Sequence, residues 1–307
     1  MRSLLSTILI AVTAFFARPV GADQMVASDT IETFPVGPSP NGMAFDGANV
    51  WVTSATGDHI TELRASDGAL LGSFFAGSAQ RKVAFDGTNI WVTNFYDNTV
   101  TRLRATDGTL VDTLPVYYGP GHILFDGANI WVSQYNGAAI SKLRASDGAL
   151  LGLFPVEGAP VGLASDGANI WSANYTTNEL IKLRASDGAI LGRVPVESPW
   201  GLGFDGSKIW SANHDSVTKV AVRGGTVLGT FPMPNTYLDD VAFDGTSVWV
   251  AAADFEHSLV RISRRSGRLE RAYSLEGMAG GILFDGTSIW VTNLDNDTVS
   301  KITRSPQ

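Results

Sequence analysis

A near-identical phrase of eight residues recurs seven times in this chain, and it restricts the fold to copies of one unit packed on one another. It reads FDGANVWV from Phe45, FDGTNIWV from Phe85, FDGANIWV from Phe125 and SDGANIWS from Ser165. FDGSKIWS from Phe204, FDGTSVWV from Phe243 and FDGTSIWV from Phe284 complete the set. The tryptophans inside it, Trp51, Trp91, Trp131, Trp171, Trp210, Trp249 and Trp290, are 40, 40, 40, 39, 39 and 41 residues apart. Such a period marks one supersecondary unit stacked on its own copies.

Each copy reads as four antiparallel strands. In the third, residues 121–125 are a short apolar strand ended by the turn pair Asp126-Gly127. Residues 130–133 give a second strand of β-branched and aromatic residues, and residues 139–144 a third that alternates apolar and polar. Ser146-Asp147-Gly148 turns the chain into a fourth strand over 150–156, whose Pro155 suits an outer edge where a missing N–H is harmless. Seven such units predict an all-β, seven-bladed β-propeller with four antiparallel strands per blade. One sheet cannot bury both of its faces, so the recurring Trp and Phe are expected to pack between neighbouring blades.

The two ends predict closure. Residues 30–37 match a fourth strand with no first three before it, whereas residues 281–303 supply strands one to three and stop. The N-terminal strand should therefore complete the last blade, and deleting residues 26–37 should abolish cooperative unfolding. An open stack would instead need polar caps, and the sequence offers none.

Residues 1–22 stand outside the repeat. Arg2, an apolar stretch over 4–17 and Val20-Gly21-Ala22 read as a secretory signal peptide, with an uncleaved anchor as the alternative. Cleavage would leave residues 23–307 as a single propeller domain, soluble and secreted or periplasmic, and expected to be a monomer. The chain has no cysteine, which excludes disulfides, a thiol nucleophile and thiolate metal sites. Net charge is −8, and loss of Arg2 and Arg18 would make it −10. With no Lys/Arg run, nucleic acid and anionic membrane surfaces are poor partners.

Trp91-Val92-Thr93-Asn94 and Trp290-Val291-Thr292-Asn293, with Asn98-Thr99-Val100 and Asp297-Thr298-Val299 after them, resemble the bacterial YVTN-type propeller repeat, related in style to NHL repeats. Gly119-Pro120 and Ala159-Pro160, ahead of the first strand, are similar to that family too. The resemblance implies an exported or surface-associated protein that binds a ligand or partner. Streptogramin lyases share the repeat, and Gly121-His122-Ile123 is similar to their histidine motif. Three residues beyond each tryptophan, however, stand Ser54, Asn94, Gln134, Asn174, Asn213, Ala252 and Asn293, never the glutamate of that family.

Function is expected where the copies differ. The Asp-Gly hairpins and the Ala-Ser/Thr-Asp-Gly turns are near-copies and read as turn chemistry. Variation gathers in the loops entering strand one and leaving strand two, on the other face of the ring. At the channel mouth the varied pairs are Asn41-Gly42, Arg81-Lys82, Gly121-His122, Val161-Gly162, Trp200-Gly201, Asp239-Asp240 and Gly280-Gly281. Arg81/Lys82 and Asp239/Asp240 either build a ligand site with His122 and Trp200 or neutralise the ring. Phe95, Tyr96, Tyr135, Tyr175 and Phe255 follow strand two as an aromatic rim, which Tyr117, Tyr118 and Tyr237 could extend.

The four histidines, His59, His122, His214 and His257, all map to this face. Two of them with Asp215 or Glu256 could hold a divalent metal, although the sequence requires no cofactor. Asp295-Asn296-Asp297 faintly resembles a calcium loop but lacks its later glycine and glutamate. The expected function is non-catalytic recognition of a protein, peptide, glycan or small molecule. Arg81, Lys82, His122, Trp200, Asp239, Asp240, Tyr135 and Tyr175 are its candidate contacts. One alternative is a lyase- or hydrolase-like enzyme at the mouth, with His122 as acid/base and Asp239 or Asp240 orienting it or holding a metal. The other is a structural surface or matrix module.

Overall fold

The computed structural model describes residues 29–233, 237–253 and 259–305, so the expected signal peptide lies outside the described residues. Seven four-stranded antiparallel sheets follow one another along the chain, and no described residue is helical. In the third blade the strands are Pro120–Phe125, Asn129–Gln134, Ala139–Arg144 and Leu150–Pro155, within a residue or two of the sequence reading. Blades are numbered here by their tryptophans, from Trp51 in blade 1 to Trp290 in blade 7.

The ring closes as the ends require. Thr30–Pro35 pairs antiparallel with Thr298–Thr303, setting Ile31 opposite Ile302 and Phe34 opposite Val299, and so supplies the outer strand of blade 7. Its neighbours in that sheet come from the opposite end of the chain.

All seven repeat tryptophans are fully buried. Each reaches into the following blade: Trp51 packs with Val83, Ile90 and Leu103, and Trp290 with Val50, Val52 and Leu63. A buried indole still needs a partner for its N–H, and the Asp of the same repeat provides it. Asp46, Asp86, Asp126, Asp166, Asp205, Asp244 and Asp285 accept from their tryptophans at 2.6–2.9 Å. The other carboxylate oxygen caps the turn; Asp126 Oδ1 accepts from the N–H groups of Ala128 and Asn129. The Asp-Gly pair is turn chemistry, as expected, but its aspartate also holds the core.

A cation on strand three sits over the same indole and fastens it to the next blade. Lys142 Nζ lies 5.0 Å from the Trp131 ring and donates to the carbonyls of Ala185 and Ser186. Arg102, Lys182, Lys219 and Lys301 act likewise. Blade 1 has Glu62 at this position, bonded instead to Asn49 in its own blade. Burial, with Asp46 nearby, holds its carboxyl above the ordinary range.

Candidate functional site at the channel mouth

Every first strand slips register at the same place. Pro120 pairs with Gln134 but Ile123 with Val132, so Gly121 and His122 form a bulge. The same shift brackets Asn41-Gly42, Arg81-Lys82, Val161-Gly162, Trp200-Gly201, Asp239-Asp240 and Gly280-Gly281. These are the varied pairs of the sequence. A bulge frees a residue from the ladder and re-aims its side chain, here toward the channel.

In four blades the second residue of the bulge is a glycine against a crowded neighbour. A Cβ on Gly162 would lie 2.3 Å from the Trp200 carbonyl, and one on Gly281 2.2 Å from that of Asn41. Gly42 and Gly201 are equally confined, which explains the small residues of blades 1, 4, 5 and 7. Blades 2, 3 and 6 depart from glycine, with Lys82, His122 and Asp240.

Those three side chains line one cavity. Lys82 Nζ donates to Asp240 Oδ2 at 2.8 Å, with both side chains largely buried. Although burial opposes its charge, Asp240 and Asp239 raise the Lys82 pKa above the ordinary lysine value. Burial pulls the His122 imidazole down to about 4, with Asp240 opposing and Lys82 reinforcing the shift. His122 is therefore neutral near pH 7, and its Nδ1 is buried without a hydrogen-bond partner. Burial pushes Asp239 up, against the pull of Lys82 and the Trp200 indole.

One cavity of about 200 Å³ gathers Asn41, Arg81, Lys82, Phe95, His122, Tyr135, Val161, Trp200, Asp239 and Asp240 along its walls. Seven of the eight candidate contacts line it. Tyr175 does not; it packs edge-on against Trp200 outside the cavity, with ring centroids 5.5 Å apart. The neutralisation expected of the four charged residues is direct for one pair only. The Arg81 guanidinium stacks 4.9 Å from the Phe95 ring, and among the described residues it has no ion-pair or hydrogen-bond partner. Phe95 in turn meets Tyr135 at 6.4 Å and Tyr96 at 5.5 Å.

The three described histidines do not assemble. His59 contacts Asp58 at 2.6 Å and Phe75, His214 lies against Tyr237 at 4.1 Å, and His122 is in the channel. Phe255, Glu256 and His257 lie outside the described residues. Among the described residues no three His, Asp or Glu side chains gather as a metal site. Asp295 and Asp297, from the faint calcium-like run, accept instead from the Met278 and Ser39 N–H groups. Asp240 contacts Lys82 and not the His122 ring, so the orienting role expected of it toward an acid/base is not seen.

Two structural roles escaped the sequence reading. In every blade but the sixth, which has Ala252, the residue three beyond the tryptophan is a polar interior strut: Asn94 Nδ2 donates to Thr99 and Thr101, and Gln134 Nε2 to Ser141. In four blades the residue two beyond is a stitch to the next blade. Thr93 Oγ1 accepts from the Lys82 N–H at 3.0 Å and donates to the Gly121 carbonyl of the next blade at 2.8 Å. The alternation of Thr or Ser with Ala at that position was the available signal.

Fold and site together define a seven-bladed propeller with a bulge-built pocket at its channel mouth. The similar solved structures agree in architecture. Virginiamycin B lyase from Staphylococcus aureus superposes with a TM-score of 0.77 at 18% identity, over 90% of this chain and 100% of that one. A catalytically inactive variant of that lyase, solved with quinupristin, gives 0.78 at 18% identity, with the same coverage. Hydrazine synthase of Kuenenia stuttgartiensis gives 0.78 at 14%, over 95% of this chain and 100% of that one. No family model matches the chain, and no curated protein matches it by sequence. At these identities the likeness is one of fold.

Proposed function

We propose that this protein is an exported propeller of the YVTN-like type that binds a compact ligand non-catalytically at its channel mouth. The observation that carries the reading is the convergence of bulge residues from blades 2, 3, 5 and 6 on one cavity, with the Arg81 fork unpaired at its edge. Phe95, Tyr135 and Trp200 offer flat apolar walls, while Arg81 offers paired donors and His122 a neutral imidazole. That combination suits a small molecule with a planar or apolar body and a carboxylate or carbonyl group. A peptide or glycan end could present the same chemistry from the rim.

The test is a calorimetric screen of residues 23–307 against small organic acids, sugars and short peptides. Binding that Arg81→Ala or Trp200→Ala weakens about tenfold or more, a loss of ~1.4 kcal/mol, supports the site. Ligands bound equally by both variants would move recognition elsewhere.

A second reading keeps one specific observation. Asp239 is pushed up and His122 down, the divergence by which paired groups divide acid and base roles. An enzyme of this kind would lose turnover in His122→Gln while melting unchanged, and a turnover that survives this substitution would remove the reading.

A further inference from the structure

The face opposite the mouth is built from turns that neutralise themselves in four blades. Arg64–Asp67, Arg104–Asp107, Arg144–Asp147 and Arg184–Asp187 are ion pairs of 2.8–2.9 Å within the Leu-Arg-Ala-Ser/Thr-Asp-Gly turn. Blades 5 and 6 abandon the pattern. Their turns read Val220-Ala-Val-Arg-Gly-Gly and Ile262-Ser-Arg-Arg-Ser-Gly, losing the aspartate and gaining Arg223, Arg264 and Arg265. At the position of Asn49, Asn89, Asn129 and Asn169, blade 5 carries Lys208.

These departures fall together. A shallow hollow of about 430 Å³ between blades 5 and 6 is lined by Lys208, Lys219, Arg264 and Arg265, with Asp205 the one carboxylate and Ser207, Thr246 and Ser263 as hydroxyls. Arg264 is anchored, its Nε 3.2 Å from Asp205 and a terminal nitrogen 3.2 Å from Ser207 Oγ. Lys219 donates to the Arg264 carbonyl at 2.7 Å, which fixes the turn carrying Arg265. Burial, together with Lys208 and Arg264, lowers the Lys219 pKa despite Asp205, so the cations here are crowded. Among the described residues Lys208 meets only the Ser207 carbonyl, at 3.3 Å, and Arg265 is exposed with no side-chain partner.

We propose that this hollow is an oxyanion-binding site, taking a phosphate- or sulfate-type group with two negative charges between Lys208, Arg265 and the hydroxyl of Ser263, the Ser207 hydroxyl being committed to Asp205. Four cations against one carboxylate leave local charge to be met by a ligand, and a hydroxyl donor beside guanidinium suits tetrahedral oxygens. An extended polyanion is disfavoured, because the blade 4 turn is a neutral pair, Arg304 on the blade 7 side is held by Asp244, and the chain carries −8 overall. The site is independent of the mouth.

The test uses residues 23–307 purified without phosphate, titrated calorimetrically with inorganic phosphate, sulfate and, at matched ionic strength, chloride. Saturable binding of phosphate or sulfate but not chloride is expected. Lys208→Ala with Arg265→Ala should weaken it at least about tenfold. Arg144→Ala, from a self-neutralised turn, should leave it unchanged. Sedimentation with phosphatidic acid vesicles, with phosphatidylcholine vesicles as control, asks whether a lipid headgroup is the source. Sedimentation only with the anionic vesicles, lost in the double variant, would support the site as a headgroup site. Equal chloride binding, insensitivity of phosphate binding to the double variant, or no saturable binding of any of these probes would overturn the proposal.

Discussion

The two halves of the ring hold the channel mouth by different means. At the junctions of blades 7/1, 1/2, 2/3 and 3/4, a hydroxyl from Thr292, Thr53, Thr93 or Ser133 donates to the first bulge carbonyl of the next blade. In blades 4, 5 and 6 the same position holds Ala173, Ala212 and Ala251, buried and without a donor. The stitched half carries Arg81, Lys82 and His122, and the other carries Trp200, Asp239 and Asp240. Cations and imidazole are thus mounted on tied backbone, and the indole and acids on backbone that lacks this tie between blades. Lys82–Asp240 is the polar bond joining the two halves across the channel.

That contrast can be broken at several strengths. Deleting residues 29–37 removes the strand that closes blade 7, on the stitched side, and should abolish a single cooperative unfolding transition in urea. A truncated chain melting like the intact one would contradict closure by that strand. Lys82→Met should come next, costing ~3–5 kcal/mol because it strands a buried carboxylate. Adding Asp240→Leu to the same chain should recover most of this loss, and failure to recover would show that the pair is not the coupling element. Thr93→Val should cost roughly 2–4 kcal/mol, by leaving the Lys82 N–H and Gly121 carbonyl without their shared partner. Hydrogen exchange should show the Lys82 amide losing protection in that variant. In the native protein, the amides of Lys82 and His122 should exchange more slowly than that of Gly201.

The smallest effect belongs to Glu62, the departure from the strand-three cation. Its carboxyl is raised by burial, so the stability linked to it is complete below the ordinary carboxylate range and lost as pH rises through the folded value. Glu62→Gln should therefore match the native protein at low pH and exceed it near pH 7. Glu62→Lys, which restores a cation facing the blade 2 turn, should add ~1 kcal/mol in urea unfolding. A neutral or negative effect would mean that this seam has no use for the missing charge.

Much of this architecture was legible because the repeat states it seven times. The period, the Asp-Gly turns and the unmatched strands at the two ends sufficed for blade count, strand order and closure. The mouth was legible in outline, since its residues are those in which the copies differ. Their pairing was not legible. Lys82 and Asp240 are 158 residues apart, and only the curvature of the ring brings them to 2.8 Å. Tyr175 was placed among the contacts because sequence gives a loop but not the direction of a side chain. The basic hollow stayed hidden in a chain without a Lys/Arg run, because Lys208 and Arg265 become neighbours only when blades 5 and 6 are laid side by side.

Sequence by itself determined the blade, its copy number and the core, because local turn chemistry and strand alternation depend on near neighbours repeated without change. Tertiary structure alone decided which charges are paired, which imidazole is neutral and which guanidinium is free. Those properties depend on burial and on distances across the ring, and no single blade encodes either.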